Sequence, residues 1–394
     1  MIALRDTLVS LLSRRTSGRR LIPEIDGLRS IAILSVLFFH AAANFGHYTG
    51  DITDGTAFDA WLLKILSTGE YGVPLFFAIS GFILAVPFAN KHLHGKQAPS
   101  LKKYFLRRIT RLEPPYIFAL TIFAAKQIVE RVVIGHESGA LPDILTHYGA
   151  SCCYLHNAIY GEASSIAVIA WSLEIEVQFY ILAPIITWVF AISTPALRRA
   201  IIGAAILAFS HFFGVEKPIH GLTILNHAPY FLVGLLLADF YLTGLGDNQT
   251  KSGMWDLAGF AALAGVFLFK AYDIAPTLIT PWLILAGYVA VFRGDLLRRL
   301  FRFTPVVIVG GMCYTIYLWH FTVIAAFRHP FFAVFDPDPT WYWRLIYIAA
   351  ASVPALAVSA VLFALIERPT MDPKWPQKLW AFITRKPRPP SANA

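Results

Sequence analysis

The chain has 394 residues, of which 57% are hydrophobic and only 14% are charged, and its mean hydropathy is +0.59. A soluble domain has about a quarter of its residues charged, so this composition excludes a large soluble protein and indicates a polytopic membrane protein. The net charge of +9 comes from short basic clusters between apolar runs, with no continuous basic stripe. Such clusters are topology signals, so we expect membrane lipids as partners and no nucleic acid.

The sequence predicts ten membrane-spanning helices. The first 23 residues show no cleavable signal, and their arginines and leucine stripe predict a basic amphipathic helix on the membrane surface. Ten apolar runs follow, and no region shows the alternation of a membrane barrel. The predicted spans are 25–45, 70–90, 114–134, 168–192, 200–214, 224–243, 255–272, 277–292, 304–326 and 343–366.

An even number of spans places both termini on one side of the membrane. Most of the 33 lysines and arginines fall on the side of the N-terminus, which predicts that both termini are cytoplasmic. We therefore expect an all-α, multi-pass protein of the bacterial inner membrane. It divides into a basic N-terminal segment (1–23), a transmembrane domain (24–367) and a basic cytoplasmic tail (368–394) whose end from Lys386 is disordered.

The first span contains two ionisable residues, Arg29 and His40, with only apolar or small residues between them. Eleven helical residues make three turns plus about 20°, so both side chains share one face, about 16 Å apart along the axis. An unpaired arginine at this depth costs about 2.5 to 3.5 kcal/mol, so Arg29 should face protein, water or an anion. The alternative is an arginine that reaches lipid headgroups and a histidine bonded to a neighbouring helix.

Further polar side chains lie in other predicted spans. The stretch WSLEIEVQFY contains Glu174 and Glu176, which are two residues apart and so cannot both face the same partner. The stretch GGMCYTIYLWH ends in His320, which is either functional or structural. Ser80 precedes Gly81 in PLFFAISGFIL, where close helix packing is the simpler interpretation.

A basic cluster, LKKYFLRRITRLEPPY, precedes the third span. Arg108 and Arg111 are three residues apart, so on a helix they share a face and can hold phosphates, with Lys103 nearby. The alternative is a topology signal or a site for anionic lipids. The three cysteines, Cys152, Cys153 and Cys313, have neither the number nor the spacing of a disulfide framework or a zinc site, so we expect no metal.

Five stretches, taken in order, resemble the membrane-bound acyltransferase-3 family: EIDGLRSIAILSVLFFHA, FFAISGF, RRITRLEPPY, WSLEIEVQFY and YTIYLWH. The resemblance extends from about Glu24 to Glu367. It implies ten-helix inner membrane enzymes that O-acylate sugars, most often by acetylating surface polysaccharides, with acetyl-CoA or another acyl-CoA as cytoplasmic donor.

The same resemblance implies roles for individual residues. His40 corresponds to the family's essential histidine and Arg29 to the charged residue before it. Arg108 and Arg111 match its donor-phosphate pair, and Glu176, not Glu174, matches its conserved glutamate.

Two departures from the family pattern limit this transfer. Some relatives carry an appended extracytoplasmic domain that completes transfer, and the sequence predicts no such domain here. We therefore expect this chain to act alone or to pass the acyl group to a partner. Val177 stands where many members have a second acidic residue, so no role is assigned to that position.

The sequence thus predicts an O-acyltransferase that moves an acyl group, most simply acetyl, from cytoplasmic acyl-CoA to a periplasmic hydroxyl of a surface or lipid-linked glycan. His40 is the predicted general base or acyl carrier, oriented by Glu176 or by a backbone carbonyl. The candidate substrate and oxyanion groups are Arg29, Ser80, Ser172, Tyr317 and His320.

Two other functions fit the residues. Ionisable groups along a membrane core are also typical of a transporter or flippase of a glycan or small anion. Transporters often contain internal repeats, and the sequence has no convincing one. The acceptor is alternatively a small-molecule glycoside or an amine. The sequence predicts no particular oligomeric state.

Overall fold

A computed structural model of the chain describes residues 2–14, 21–50, 56–97, 99–134, 141–214, 222–245, 252–372 and 374–384. Several predicted features lie outside these ranges: Arg15, Arg19 and Arg20 of the basic head, and the tail from Lys386. Throughout the described ranges the regular secondary structure is helical, without strands.

The helices of the first half are α1 (Ile2–Leu12), α2 (Pro23–Thr49), α3 (Ala57–Ser67), α4 (Gly72–His94), α5 (Leu101–Ile134), α6 (Leu141–Cys152), α7 (His156–Tyr160), α8 (Trp171–Ile186) and α9 (Pro195–Phe213). The helices of the second half are α10 (Ile224–Phe240), α11 (Gly253–Ala271), α12 (Pro276–Arg293), α13 (Leu296–Phe301), α14 (Thr304–Gly311), α15 (Cys313–Val334), α16 (Trp341–Leu362), α17 (Arg368–Thr370) and α18 (Trp375–Ile383).

The helices confirm an all-α polytopic membrane protein. In the described part of the chain, eight helices are long and apolar enough to cross a membrane, or nine if α14 and α15 form one span. The predicted span 114–134 lies within the 34-residue α5, which is outside this apolar set because Lys126, Glu130 and Arg131 charge its second half. The orientation of the termini stays a prediction.

One predicted span, 304–326, is broken into α14 and α15, which are bent by 73° relative to each other. Gly310 stands directly before the break, and a Cβ atom there would lie 1.6 Å from the carbonyl oxygen of Asp26. The glycine therefore lets α14 touch the backbone of α2 before the chain turns into α15.

Two further glycines let α4 and α10 pack closely against each other. A Cβ atom on Gly81 of α4 would lie 2.2 Å from the Phe231 carbonyl oxygen, and one on Gly234 of α10 would lie 2.2 Å from that of Ala78. The close packing predicted at Gly81 is confirmed. Helix α2 lies inside the bundle, where it packs against α4, α14, α15 and α16, so residues along its length face protein.

The bundle has two chemically different ends. At the end where α2 begins, called the basic end below, Arg298 donates to Glu24 over 2.8 Å, and the Trp375 indole of α18 donates to the Thr110 carbonyl over 2.8 Å. α1 also packs at this end, where Arg368 donates to the Ser10 carbonyl. The boundaries of the predicted N-terminal segment and tail remain predictions.

At the other end, called the far end, α2 finishes beside α3 and α16. The Tyr347 hydroxyl donates to the Asn44 side chain over 2.7 Å, and the Trp341 amide donates to Asp59 over 2.8 Å. These bonds fix the first turns of α16 against α2 and α3.

Candidate active site

The two histidines that the sequence singles out meet between α2 and α15. His40 Nδ1 lies 3.0 Å from His320 Nε2, and the two ring centroids are 5.0 Å apart. His320 is fully buried and His40 is half-buried. Phe321 packs edge-on against the His40 ring at 5.4 Å, so the ring is held between protein groups on α15.

Backbone carbonyls fix the tautomers of both rings. His320 Nδ1 lies 2.9 Å from the Ile316 carbonyl oxygen and 2.8 Å from that of Tyr317, and a carbonyl only accepts, so Nδ1 carries the proton. The Nε2 atom of neutral His320 then carries a lone pair that faces His40.

The same reasoning gives the tautomer of His40. Its Nδ1 lies 3.0 Å from the Val36 carbonyl oxygen as well as from His320 Nε2, so it donates to these two acceptors. The remaining nitrogen of neutral His40, Nε2, therefore carries a lone pair that is not used by this network. Such a nitrogen is the atom that a general base needs.

Arg29 lies at the basic end of α2 in an ion-pair cluster. Its guanidinium pairs with Asp26, one turn earlier on α2, and Arg14 pairs with the same carboxylate over 3.1 Å. The Asp26 side chain is only 2% exposed. Arg29 thus faces protein, and two arginines on one carboxylate leave this cluster with a net positive charge.

Arg108 and Arg111 of α5 lie near this cluster. The Arg108 guanidinium lies over the rings of Tyr104 and Tyr180, at 3.8 and 5.2 Å from their centroids, and it donates to the Tyr104 carbonyl over 3.0 Å. Arg111 lies 3.8 Å from the buried carboxylate of Glu367. The two arginines are close enough to repel each other, and Arg111 also repels Arg14, so basic groups from α2, α5 and the segment after α1 converge.

Lys103 lies apart from this convergence. Its side chain is exposed near the start of α5. The exposed position favours a contact with lipid or solvent over a place in the arginine cluster.

The two glutamates of α8 face different partners, as their spacing predicts. Glu176 accepts a hydrogen bond from the Ser80 hydroxyl, and it lies within electrostatic range of Arg29 and Arg108. Glu174 instead accepts from the Asn157 amide over 2.8 Å. Glu176 thus belongs to the arginine side of the site, and a backbone carbonyl, the other predicted alternative, orients His40.

The hydroxyls of Ser172 and Tyr317 bond to each other over 2.7 Å. The Tyr317 hydroxyl also lies 2.5 Å from the Ile169 carbonyl oxygen, to which it must donate, so Ser172 donates to Tyr317. Both hydroxyl protons are therefore used within the protein. This geometry favours a structural role for the pair, which joins α15 to the start of α8.

Sequence reasoning missed two carboxylates of the site. Asp26 precedes Arg29 by three residues, a spacing at which helical side chains pair, so this ion pair could have been predicted from the sequence. Glu367 accepts from the Thr315 hydroxyl over 2.5 Å and lies beside Arg111, a contact between distant segments that no local pattern indicates. No group of three or more potential metal ligands occurs in the described ranges.

Comparison with known proteins places this arrangement in a family. A family described as an acyltransferase domain matches residues 22–364, which is most of the chain. The chain therefore belongs to the membrane-bound acyltransferase-3 family. No solved structure matches the chain.

Three relatives carry related names. The chain is 25% identical over 394 residues to O-acetyltransferase OatA of Staphylococcus aureus, with 93% of this chain and 60% of that protein covered. It is 24% identical over 377 residues to peptidoglycan O-acetyltransferase OatA of Listeria monocytogenes (89% and 56% covered) and 23% identical over 350 residues to a putative O-acetyltransferase of S. aureus (79% and 52% covered). The chain thus spans only 52–60% of the length of these relatives.

The Ser172–Tyr317 pair makes a testable distinction between structure and catalysis. An oxyanion donor is worth about 100- to 1,000-fold in rate, whereas a neutral hydrogen bond contributes about 1 kcal/mol to stability. We expect Ser172→Ala to lower the acyl-transfer rate by less than about 10-fold and to reduce thermal stability slightly. A loss of about 100-fold or more in a stably folded variant would instead restore Ser172 as an oxyanion donor.

Proposed function

We propose that this chain is a membrane-embedded O-acyltransferase that moves an acyl group, most simply acetyl, from acyl-CoA in the cytoplasm to a hydroxyl of a glycan on the other side of the membrane. The basic end faces the cytoplasm in this proposal, and the far end faces the acceptor. A bacterial inner membrane protein with both termini cytoplasmic fits this arrangement.

One observation carries the proposal: His40 has a lone pair at Nε2, set by two fixed hydrogen bonds, on a helix that joins the basic end to the far end. Arg29 lies on the same helix, eleven residues before His40. A donor held by the arginine cluster and an acceptor held at the far end would therefore approach His40 from opposite sides.

The chemistry needs a base because a sugar hydroxyl is a weak nucleophile while it keeps its proton. His40 Nε2 takes that proton as the hydroxyl oxygen attacks the thioester carbonyl carbon. The tetrahedral intermediate then collapses, the carbon–sulfur bond breaks, and the imidazolium returns the proton to the CoA thiolate. The products are the O-acyl ester and CoA, and His40 is regenerated.

His320 supports this cycle as a positioning residue. When His40 is protonated at Nε2, its Nδ1–H still donates to His320 Nε2, so the charge is partly shared with a second ring. The carbonyls of Ile316 and Tyr317 hold the His320 Nδ1–H and prevent the opposite tautomer. This pairing replaces the carboxylate that orients the histidine in a serine–histidine–aspartate triad.

The arginine cluster supports acyl-CoA as donor. Arg14, Arg29, Arg108 and Arg111 converge on few carboxylates, and guanidinium groups bind phosphate oxygens in pairs. The donor's phosphates would bind here while its thioester extends along α2 towards His40.

The acceptor is proposed from the relatives. One is named a peptidoglycan O-acetyltransferase, which favours a cell-surface glycan, and a lipid-linked glycan has the same hydroxyl chemistry. Membership in an acyltransferase family favours acyl transfer over a transporter or flippase. A small-molecule glycoside or an amine is a second candidate acceptor, with the same base.

Removing the base tests the proposal directly. We expect His40→Ala to lower the transfer rate by about 1,000-fold, within the range for general-base catalysis, without changing membrane insertion. His320→Ala should lower it by about 10- to 100-fold, and His320→Gln should recover part of this loss because its amide oxygen still accepts from His40 Nδ1. The measurement is the rate of acyl transfer as a function of pH.

A matched control lies on α15, the helix that carries His320. His329 is exposed on α15, so His329→Ala should leave the rate and its pH profile unchanged. Wild-type turnover by His40→Ala would remove His40 from the mechanism, and equal loss in both His320 variants would make His320 a packing residue only.

Donor binding is tested separately in detergent, without any gradient, where a transporter would not consume acyl-CoA. We expect Arg108→Ala with Arg111→Ala to weaken apparent donor affinity by at least about 10-fold, because each charge-assisted hydrogen bond contributes about 1.5–3 kcal/mol. Arg107→Ala, an exposed neighbour on α5, is the control and should bind normally. Unchanged affinity in the double variant would return these arginines to a topological role.

A further inference from the structure

Two adjacent prolines, Pro114 and Pro115, lie inside α5 shortly after the arginine pair. A proline has no amide N–H, so the carbonyl four residues before it loses its regular helical hydrogen bond. In α5 these are the carbonyls of Thr110 and Arg111. Because Thr110 lies between Arg108 and Arg111, the prolines interrupt the helical bonding at the turn that carries the proposed donor-phosphate residues.

The chain after α16 supplies a replacement donor at this turn. The Trp375 indole N–H of α18 donates to the Thr110 carbonyl over 2.8 Å, where the amide of residue 114 would bond in an uninterrupted helix. Neighbouring side chains commonly satisfy the carbonyls that prolines leave unbonded in membrane proteins. The Trp375 bond is therefore a direct counterpart of the Pro114 substitution in the helix.

Thr370 of α17 makes a weaker contact with the same turn. Its hydroxyl lies 3.3 Å from the Arg111 carbonyl oxygen but only 2.7 Å from that of Glu367, which is its preferred acceptor. Trp375 thus makes the stronger of the two bonds from this part of the chain to the interrupted turn.

The indole is held in a fixed position at the start of α18. The Trp375 backbone amide donates to the Asp372 carbonyl over 2.9 Å, and Lys378, one turn later, pairs with the Asp372 carboxylate over 2.5 Å. The Trp375 ring is only partly exposed, whereas Trp380 on the same helix is 69% exposed. A donor fixed in this way can set the position of the carbonyl to which it bonds.

The same part of the chain also contacts the side chain of this turn. Glu367, which directly precedes α17, lies 3.8 Å from the Arg111 guanidinium. The elements after α16 thus contact the turn at its backbone through Trp375 and at its charge through Glu367. With the regular helical bonding interrupted, these contacts supplement α5 in determining where Arg108 and Arg111 lie.

We propose that Trp375 is a positioning residue of the donor site, whose indole N–H replaces the missing amide of Pro114 and fixes the turn that presents Arg108 and Arg111 to the donor's phosphates. The inference rests on the proposed function, because that function makes these two arginines the donor site. Trp375 lies after the residues 22–364 that match the acyltransferase family. A part of the chain beyond the matched region is thereby assigned to donor binding.

The test removes the indole N–H and keeps an aromatic ring. Trp375→Phe should weaken the binding of CoA to the purified full chain by about 3- to 10-fold, the range expected for one neutral hydrogen bond. The apparent KM for acyl-CoA should rise by the same factor while kcat stays unchanged, because His40 is not affected. Trp380→Phe on the same helix is the matched control and should bind CoA like the wild type.

A double-mutant cycle separates this role from simple packing. Pro114→Ala returns an amide to the Thr110 carbonyl, so in that background Trp375→Phe should weaken CoA binding by less than about 2-fold. In the Pro115→Ala background the full loss should remain, because Pro115 affects the Arg111 carbonyl instead. The effect of Trp375→Phe is compared within each background, so changes caused by the proline substitutions alone cancel.

The outcomes separate this inference from the proposed function. Wild-type CoA affinity in Trp375→Phe, or an equal loss with and without Pro114→Ala, overturns the inference and makes Trp375 a packing residue. Proline-dependent loss of CoA binding in a protein that transfers no acyl group supports the inference and overturns the proposed function alone. Acyl transfer whose apparent KM is insensitive to Trp375→Phe does the reverse, and a wild type that binds no CoA overturns the donor site together with this inference.

Discussion

The hydrogen bond between His40 and His320 is the constraint on which the proposed chemistry depends. It joins α2 to α15, two helices that are far apart in the chain. Inside a membrane bundle, each ring nitrogen that carries a proton must find an acceptor in the protein. The carbonyls of Val36, Ile316 and Tyr317 supply those acceptors and so determine both tautomers. The free lone pair on His40 is a consequence of satisfying all the other groups.

Two arginine–carboxylate clusters lie in the bundle away from the histidine pair. At the basic end, Asp26 serves both Arg14 and Arg29, and Arg111 shares Glu367 with Thr315, so the cations are fixed but not fully neutralised. A different cluster, in which Asp239 pairs with both Arg198 and Arg199, joins α9 to α10. Because α2 runs from the arginines at the basic end past His40 to the far end, one helix orders donor and base in the proposed reaction.

Much of the fold and part of the site are predictable because they depend on local pattern. Ten spans were predicted from apolar run lengths, and the described ranges contain eight or nine helices that are long and apolar enough to cross a membrane. Helical periodicity places Arg29 and His40 on one face. The partner of His40, the closed Ser172–Tyr317 pair and the bond from Arg344 to the Ala42 carbonyl depend on how distant helices pack, which no local spacing encodes. The break between α14 and α15 was also missed, and it lies beside the close contact of Gly310 with α2, which likewise joins distant segments.

The central claim is that the position of His40 is reached by a thioester from one side of the membrane and by an alcohol from the other. The most direct test is His40→Cys in a chain whose native cysteines, Cys152, Cys153 and Cys313, are replaced by alanine. Membrane-impermeant thiol reagents are applied to oriented vesicles from each side in turn. We expect modification of the introduced thiol from both sides, whereas modification from one side only, or from neither, would contradict this two-sided access to His40.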